Sequence, residues 1–183
     1  MLSELEQILS YVTSSRKNRQ KATQFILDNP NAFDELVNIA FSTCNKNSHR
    51  ACWVLEFIAY ERLKWFIPYL DFITDNLKTI SNESAIRPLA KIIQQLVKAH
   101  YDTTNTAISL SDNQLQNSIE ISFDWLITHT KVATKAYSIR TLFILGKSYD
   151  WIYPELQHIL NKDYANHSAA YQAVAREILS KLK

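Results

Sequence analysis

Three residues with metal-binding side chains lie close together in the sequence: Cys44, His49 and Cys52. Thiolate and imidazole groups are zinc ligands, and His49 and Cys52 are spaced for one face of a helix. A structural zinc site needs a further ligand, and the spacing between the two cysteines matches none of the common zinc patterns. We therefore predict that the thiols are core or surface groups, and that the protein holds neither a metal nor a cofactor.

The other histidines form no catalytic pattern. They are His100, His129, His158 and His167, and each lies near a predicted helix end, where histidine commonly contacts backbone carbonyls. The sequence also lacks the local signatures of serine hydrolases, zinc peptidases and Ser-x-x-Lys enzymes. Catalytic groups can converge from distant segments, so an enzyme stays an alternative. A non-catalytic function is the leading interpretation, and no catalytic residue is assigned.

Aromatic and basic side chains offer a binding surface instead. Trp53, Phe57 and Tyr60 lie on the flank of an apolar helix face. Trp125 lies outside a later apolar stripe, and Arg140 belongs to a group of basic residues on the next helix. That stripe consists of Leu115, Ile119, Phe123 and Leu126. Core packing is the ordinary role of a single aromatic residue, but exposed together these five residues suit a partner, and we predict them as partner-binding residues.

The charge balance limits the kinds of partner. The chain of 183 residues has 20 basic and 18 acidic residues and a formal net charge of +2, which argues against general attraction to nucleic acid or membranes. The basic run RKNRQK at 16–21 is typical of a solvated helix face. No apolar run is long enough to span a bilayer, and the N-terminus with Glu4 and Glu6 is unlike a secretory signal. With two cysteines only, these features predict a cytoplasmic protein that does not contact membranes.

Helices must position all of these side chains. Gly146 is the one glycine in the chain, so a sheet with many tight hairpin turns and a glycine-rich phosphate loop are both excluded. Apolar residues recur at helical spacing along nearly the whole chain. The most apolar stretch, RACWVLEFIAYERLKWFIPYLDFI at 50–73, contains Pro68, which belongs near a helix start. We interpret this stretch as two helices that pack on each other.

Several helix starts can be predicted from their capping residues. Ser3 with Glu6, and Ser111 with Gln114, have the spacing of capping boxes. Asn29 before Pro30 predicts another helix start, with Asn29 as the cap. The segment 102–112 between two of the predicted helices is polar, and we expect it to be an exposed insertion.

A sequence pattern recurs in the two halves of the chain. WFIPYLDFI at 65–73 matches WIYPELQHI at 151–159 as W-x-x-P-x-L-x-x-I without a gap. Upstream of these segments, Leu55, Ile58 and Ala59 correspond to Leu142, Leu145 and Gly146. Another helix pair fits between the two copies, so the repeat period is about 43 residues, within the roughly 40–47 residues of HEAT and armadillo repeats.

The segment SAIRPLAKI at 84–92 resembles the start of the first helix of a HEAT repeat, and Arg19 with Ala22 partly repeats it. The resemblance covers most of the chain from about residue 15. It implies an all-α fold, a right-handed α-solenoid (α-α superhelix) in which HEAT-like helix pairs stack. We expect one domain over residues 1–183, with about four helix pairs and a capping helix at each end.

Three functions follow from the resemblance. The leading one is a scaffold or interaction module that binds a still unidentified protein on its concave face. The second is a nucleic-acid-binding protein, because some HEAT-like proteins are DNA glycosylases for alkylated bases; Asp124, Trp125 and Arg140 would fill the family's binding roles. The third is a lyase, because the chain also resembles a small helical-repeat family of Bacteroidetes-type bacteria of which some members are called adenylosuccinate lyase. SSRKN at 14–18 is the segment that resembles the lyase signature.

Overall fold

A computed structural model of the protein describes residues 2–104, 108–128 and 130–182. Within these residues, helices are the only regular secondary structure, as predicted. The chain forms two compact units, residues 1–92 and 93–183, and the boundary between them lies inside α6. The α-helices are α1 Glu4–Ser10, α2 Arg16–Asp28, α3 Phe33–Phe41, α4 Ser48–Arg62, α5 Leu70–Asn76, α6 Glu83–His100, α7 Asp112–Ile127, α8 Val132–Leu145, α9 Ile152–Asp163 and α10 Ala169–Leu179.

Both predicted capping boxes are confirmed. The Ser3 hydroxyl accepts from the Glu6 backbone N–H at 3.1 Å, and the Glu6 carboxylate accepts from the Ser3 N–H. The same reciprocal pair joins Ser111 and Gln114 at the start of α7. The predicted helix start at Asn29 and Pro30 is present as a 3₁₀ turn, Pro30–Ala32, that precedes α3. The Asn29 side chain does not cap this start: it donates to the Phe25 carbonyl at 2.9 Å, at the end of α2.

In the first unit, α2 and α3 both pack against α4. Ile26, Leu36 and Leu55 are fully buried in the core between these helices. The two helices predicted at 50–73 are present as α4 and α5, and each contacts the segment that joins them. A 3₁₀ segment, Leu63–Tyr69, joins the two helices and contains Pro68, two residues before α5 begins.

An aromatic cluster in the first unit fixes this 3₁₀ segment. The ring of Phe33 on α3 meets Trp65, Phe66 and Tyr69 edge-on, with centroid separations of 5.6, 5.3 and 5.5 Å. Edge-to-face contacts of this kind stabilise by roughly 0.5–1.5 kcal/mol each beyond the buried area. The cluster therefore holds the segment against α3 although the proline removes a backbone donor.

In the second unit, α7, α9 and α10 each pack against α8. The buried side chain of Lys135 on α8 donates to the carbonyls of Leu126 and Thr128 at the end of α7. Burial lowers the pKa of Lys135 from its usual 10.5, although the Asp163 carboxylate opposes the shift. Lys135 thus supplies the donors that the last carbonyls of a helix otherwise lack.

The only glycine of the chain has a packing role. Gly146 follows α8, and a Cβ added there would overlap the ring of Tyr153 on α9. Its φ of −59° is accessible to any residue. A close approach between two helices, and no special backbone conformation, accounts for glycine at this position.

The repeated sequence pattern is only partly reflected in the packing. Phe66 and Ile152 correspond to each other and are both completely buried. Trp65 is half-buried against Phe33, whereas Trp151 is 51 % exposed. Trp65 lies inside the 3₁₀ segment and meets Phe33 edge-on, whereas Trp151 stands at the N-terminal cap position of α9 and stacks on Phe123.

Another prediction about exposure is wrong. The insertion at 102–112 is not uniformly exposed, because Ile108 and Leu110 are buried; residues 105–107 lie outside the described residues. On α10, the buried face includes Tyr171, Val174 and Ile178. Among the described residues, no helix combines the length and the apolar character that crossing a bilayer requires.

Candidate functional site

An open groove of about 870 Å³ on the first unit is lined by side chains from α2, α4 and α6. Of the described residues that line it, four are basic, two are acidic and two are aromatic. The basic residues are Arg16, Arg19, Arg87 and Lys91; the acidic ones are Glu56 and Glu61; the aromatic ones are Phe57 and Tyr60. The groove is therefore polar, with a basic excess beside two aromatic rings.

A buried carboxylate joins two helices at this groove. Glu56 on α4 has 4 % of its side chain exposed, and its two oxygens accept separately from two cations on α6. Arg87 donates from Nη2 to Oε2 at 2.9 Å, and Lys91 donates from Nζ to Oε1 at 3.0 Å. A buried carboxylate is costly to desolvate unless charged donors bind both oxygens. The pairing thus fixes the cations, one helical turn apart, at the groove.

The aromatic rings hold two of the cations. Lys91 Nζ lies 4.8 Å from the centroid of the Tyr60 ring, and the Arg19 guanidinium carbon lies 5.1 Å from that of Phe57. These separations are within the range of cation–π attraction. Tyr60 is 55 % exposed, so much of its surface remains accessible from the groove.

Arg19 is also held by the backbone. Its Nη2 donates to the carbonyl of Ser14 at 3.0 Å, just before α2 begins. Its Nε is buried and has no hydrogen-bond partner among the described residues. The guanidinium is thus oriented by a carbonyl and a ring, and retains unused donor capacity.

Trp53 has a structural contact outside this groove. Pro88 lies inside α6 and cannot donate to the carbonyl four residues earlier, which belongs to Ser84. The Trp53 indole N–H donates to that carbonyl at 2.8 Å. Trp53 therefore supplies the hydrogen bond that the proline removes, and ties α4 to α6.

The other two predicted partner-binding residues belong to the second unit. Trp125 is only 4 % exposed, so the prediction that it lies outside the apolar stripe of α7 is wrong. The buried face of α7 includes Ser118 and Ser122, and these polar residues hide the face from a hydrophobic pattern. Arg140 donates to Glu177 on α10 at 2.9 Å. The Arg140 and Lys181 side chains lower the pKa of Glu177 by hydrogen bonding to it.

Cys44, His49 and Cys52, the residues with metal-binding side chains, lie in different environments. Cys44 is exposed and lines a depression of about 330 Å³ with His49, whose pKa is lowered from 6.5 by burial and by Arg50. Cys52 lies in the core and donates to the Ala40 carbonyl at 3.6 Å. Burial raises the pKa of the Cys52 thiol to about 12. Among the described residues, no group of three or more His, Cys, Asp or Glu side chains is arranged to hold a metal ion.

Only part of the groove was predictable from the sequence. Phe57 and Tyr60 were predicted as binding residues from their position on the flank of α4, but Glu56, Arg87 and Lys91 were not. The sequence did contain a signal for these three residues. Glu56 is a charged residue in a long apolar run, and Arg87 and Lys91 are cations four positions apart on one helix.

Comparison with known proteins bears on the whole chain. The family model described as HEAT repeat domain matches residues 5–182. The chain belongs to the HEAT repeat domain family. HEAT repeats commonly mediate protein interactions, and this membership suggests a protein-interaction or scaffold role for the chain. Neither the curated proteins nor the solved structures gave a match for this HEAT repeat domain.

Proposed function

We propose that this HEAT repeat domain is a non-catalytic interaction module, and that it binds a partner protein in the groove lined by α2, α4 and α6. The observation that carries the proposal is the fixed position of the groove cations. Arg87 and Lys91 are held by Glu56, and Arg19 by the Ser14 carbonyl and the Phe57 ring. Side chains fixed before binding lose less conformational entropy when the partner binds.

Phe57 and Tyr60 stay in the proposal as partner-binding residues. An exposed tyrosine beside arginine side chains is the composition of interaction hot spots, because both residue types combine apolar area with polar donors. The proposed location of the protein is the cytoplasm, consistent with its free Cys44 and Cys52 thiols.

Site-specific photo-crosslinking tests the proposal. A photoreactive amino acid replaces Gln24, an exposed residue that lines the groove, and in a matched control it replaces the exposed His158 on α9. After irradiation in cells, we expect a protein adduct specific to position 24, which is lost when Arg19→Glu is added. Equal labelling from both positions, or an adduct at position 24 that contains nucleic acid, would contradict the proposal.

A further inference from the structure

We infer that the groove selects a short acidic segment of its partner, with carboxylates spaced to meet Arg87, Lys91 and Arg19. This inference rests on the proposed function and names the chemistry of the partner. It is based on the described cations of the groove, which contact groups of the protein on one side and are exposed on the other. The Arg87 and Lys91 side chains are 30 % and 23 % exposed although both pair with Glu56.

The spacing of the cations matches the spacing of side chains in a peptide. Arg87 and Lys91 are four residues apart on α6, and such side chains project roughly 5–6 Å from each other. Glutamates at i and i+4 of a helix have the same separation, and alternate residues of an extended strand are about 6.6 Å apart. Arginine can also bind a carboxylate through two parallel hydrogen bonds. Two carboxylates of one segment can therefore reach both cations together.

The charge of the groove favours a peptide over nucleic acid. Two of its four basic side chains already pair with Glu56, and the exposed Glu61 carboxylate also lines it. With a net excess of about two positive charges, the logarithm of the affinity for duplex DNA would fall with the logarithm of the salt concentration with a slope of only about −2. A protein with six to ten phosphate contacts has a much steeper slope. The phosphates of a nucleic acid in this groove would also lie near the Glu61 carboxylate, which has the same charge. A segment with two or three carboxylates meets the available cations without excess repulsion.

The apolar surface of the groove suggests the rest of the segment. Tyr60 is 55 % exposed and Leu27 is half-buried at the same groove. In a helical segment, an apolar side chain three residues after a carboxylate lies on the same face and can cover these surfaces. Burying it adds stabilisation in proportion to its area. The inferred ligand therefore alternates acidic and apolar residues.

Fluorescence anisotropy with a defined probe tests the inference. The probe is a labelled peptide of about twelve residues that alternates Glu and Leu, and the matched control carries Lys at each Glu position. We expect the acidic probe to bind the full chain and the basic one not to bind. Arg19→Glu should weaken binding of the acidic probe by about tenfold or more, because it reverses a charge inside the groove.

The matched control variant is Lys21→Glu, which makes the same charge change on the exposed side of α2 and does not line the groove. We expect it to change the affinity less than about twofold. Lys91→Gln is a second groove variant that introduces no new charge beside Glu56. Thermal unfolding of each variant shows whether it remains folded.

Several outcomes would overturn the inference. They are no binding of the acidic probe to the unmodified chain, equal weakening by Arg19→Glu and Lys21→Glu, and tighter binding of a labelled oligonucleotide that depends on Arg19. If crosslinking from position 24 captures a protein through a neutral or basic segment, the interaction module stands and the acidic inference fails. If no groove-specific protein adduct forms, the proposed function itself fails.

Discussion

At the scale of single residues, Trp53 shows how a side chain can complete the backbone of another helix. Pro88 leaves the Ser84 carbonyl without its helical donor, and the Trp53 indole fills the vacancy at 2.8 Å. An unsatisfied buried carbonyl costs roughly 1–3 kcal/mol. Trp53 was predicted from the sequence as a partner-binding residue, but this hydrogen bond within the fold is enough to explain a tryptophan at that position.

A double-mutant cycle measures this contact. Trp53→Phe alone should lower the free energy of unfolding by about 1–3 kcal/mol, because the Ser84 carbonyl loses its donor. In a Pro88→Ala background the alanine N–H can donate to that carbonyl, so Trp53→Phe should cost about 1 kcal/mol less there. Urea unfolding of the four proteins gives the coupling energy. Strictly additive costs would show that the indole does not replace the missing helix hydrogen bond.

Tyr171 is a second residue with a testable role. Burial, with a contribution from the Asp163 carboxylate, raises the pKa of Tyr171 from 10.0 to about 12. The unfolded chain therefore releases this proton at lower pH than the folded protein does. The contribution of this pKa difference to the free energy of unfolding is fully present below pH 10, and it is lost progressively as the pH rises to about 12.

Replacement by phenylalanine removes this titration. The Tyr171 hydroxyl is buried without a hydrogen-bond partner among the described residues, so Tyr171→Phe should leave the stability at pH 7 unchanged or slightly higher. Between pH 10 and pH 12 the variant should lose less stability than the unmodified protein. Denaturant unfolding across this range checks both statements. A variant that is clearly less stable at pH 7 would reveal a hydrogen bond to the hydroxyl.

At the scale of elements, the Glu56 pairing joins α4 to α6 and also sets the charge of the groove. These two effects have opposite consequences for the variant Glu56→Gln. Removing one partner of a buried ion pair costs about 3–5 kcal/mol, and because Arg87 and Lys91 retain contact with water we expect about 2 kcal/mol here. The same change removes a negative charge from the groove, so the acidic probe should bind more tightly.

Stability and affinity are measured on the same protein, by thermal unfolding and by anisotropy. Glu61→Gln is the matched control, because Glu61 lines the groove but is exposed. It should change the stability by less than about 0.5 kcal/mol. Weaker binding by a folded Glu56→Gln variant would mean that the ordering of Arg87 and Lys91 by Glu56 matters more for affinity than the negative charge that the substitution removes.

Helices and their starts were predictable from the sequence where the cause is local. The Ser3 and Ser111 capping boxes depend on residues three apart, so the sequence contains all the information that they need. Asn29 was misassigned because its side chain can serve the helix before it or the helix after it, and only the fold decides. Trp125 was misplaced because buried serines widen the packed face of α7.

The candidate site was less predictable for a physical reason. Phe57 and Tyr60 are recognisable on the flank of α4, but their neighbours Arg87 and Lys91 are about thirty residues further along the chain. Which turn of α6 lies beside Glu56 depends on how the two helices pack, and no local pattern encodes that register. A pairing between distant helices follows from tertiary packing alone.

At the scale of the whole molecule, the HEAT repeat domain extends over residues 5–182, and all the described residues that line the groove belong to the first unit. The second unit offers a different surface, where the exposed Trp151 stacks on Phe123 with ring centroids 5.7 Å apart. We propose that acidic peptide segments bind the groove of the first unit and not the surface around Trp151.

Backbone amide NMR of the labelled full chain, titrated with the acidic Glu–Leu peptide, tests that claim most directly. We predict saturable shift changes concentrated around Arg19 on α2, Phe57 and Tyr60 on α4, and Arg87 and Lys91 on α6, all lost in the Arg19→Glu variant. Shift changes centred on Trp151, or scattered weakly over every exposed basic residue, would contradict it.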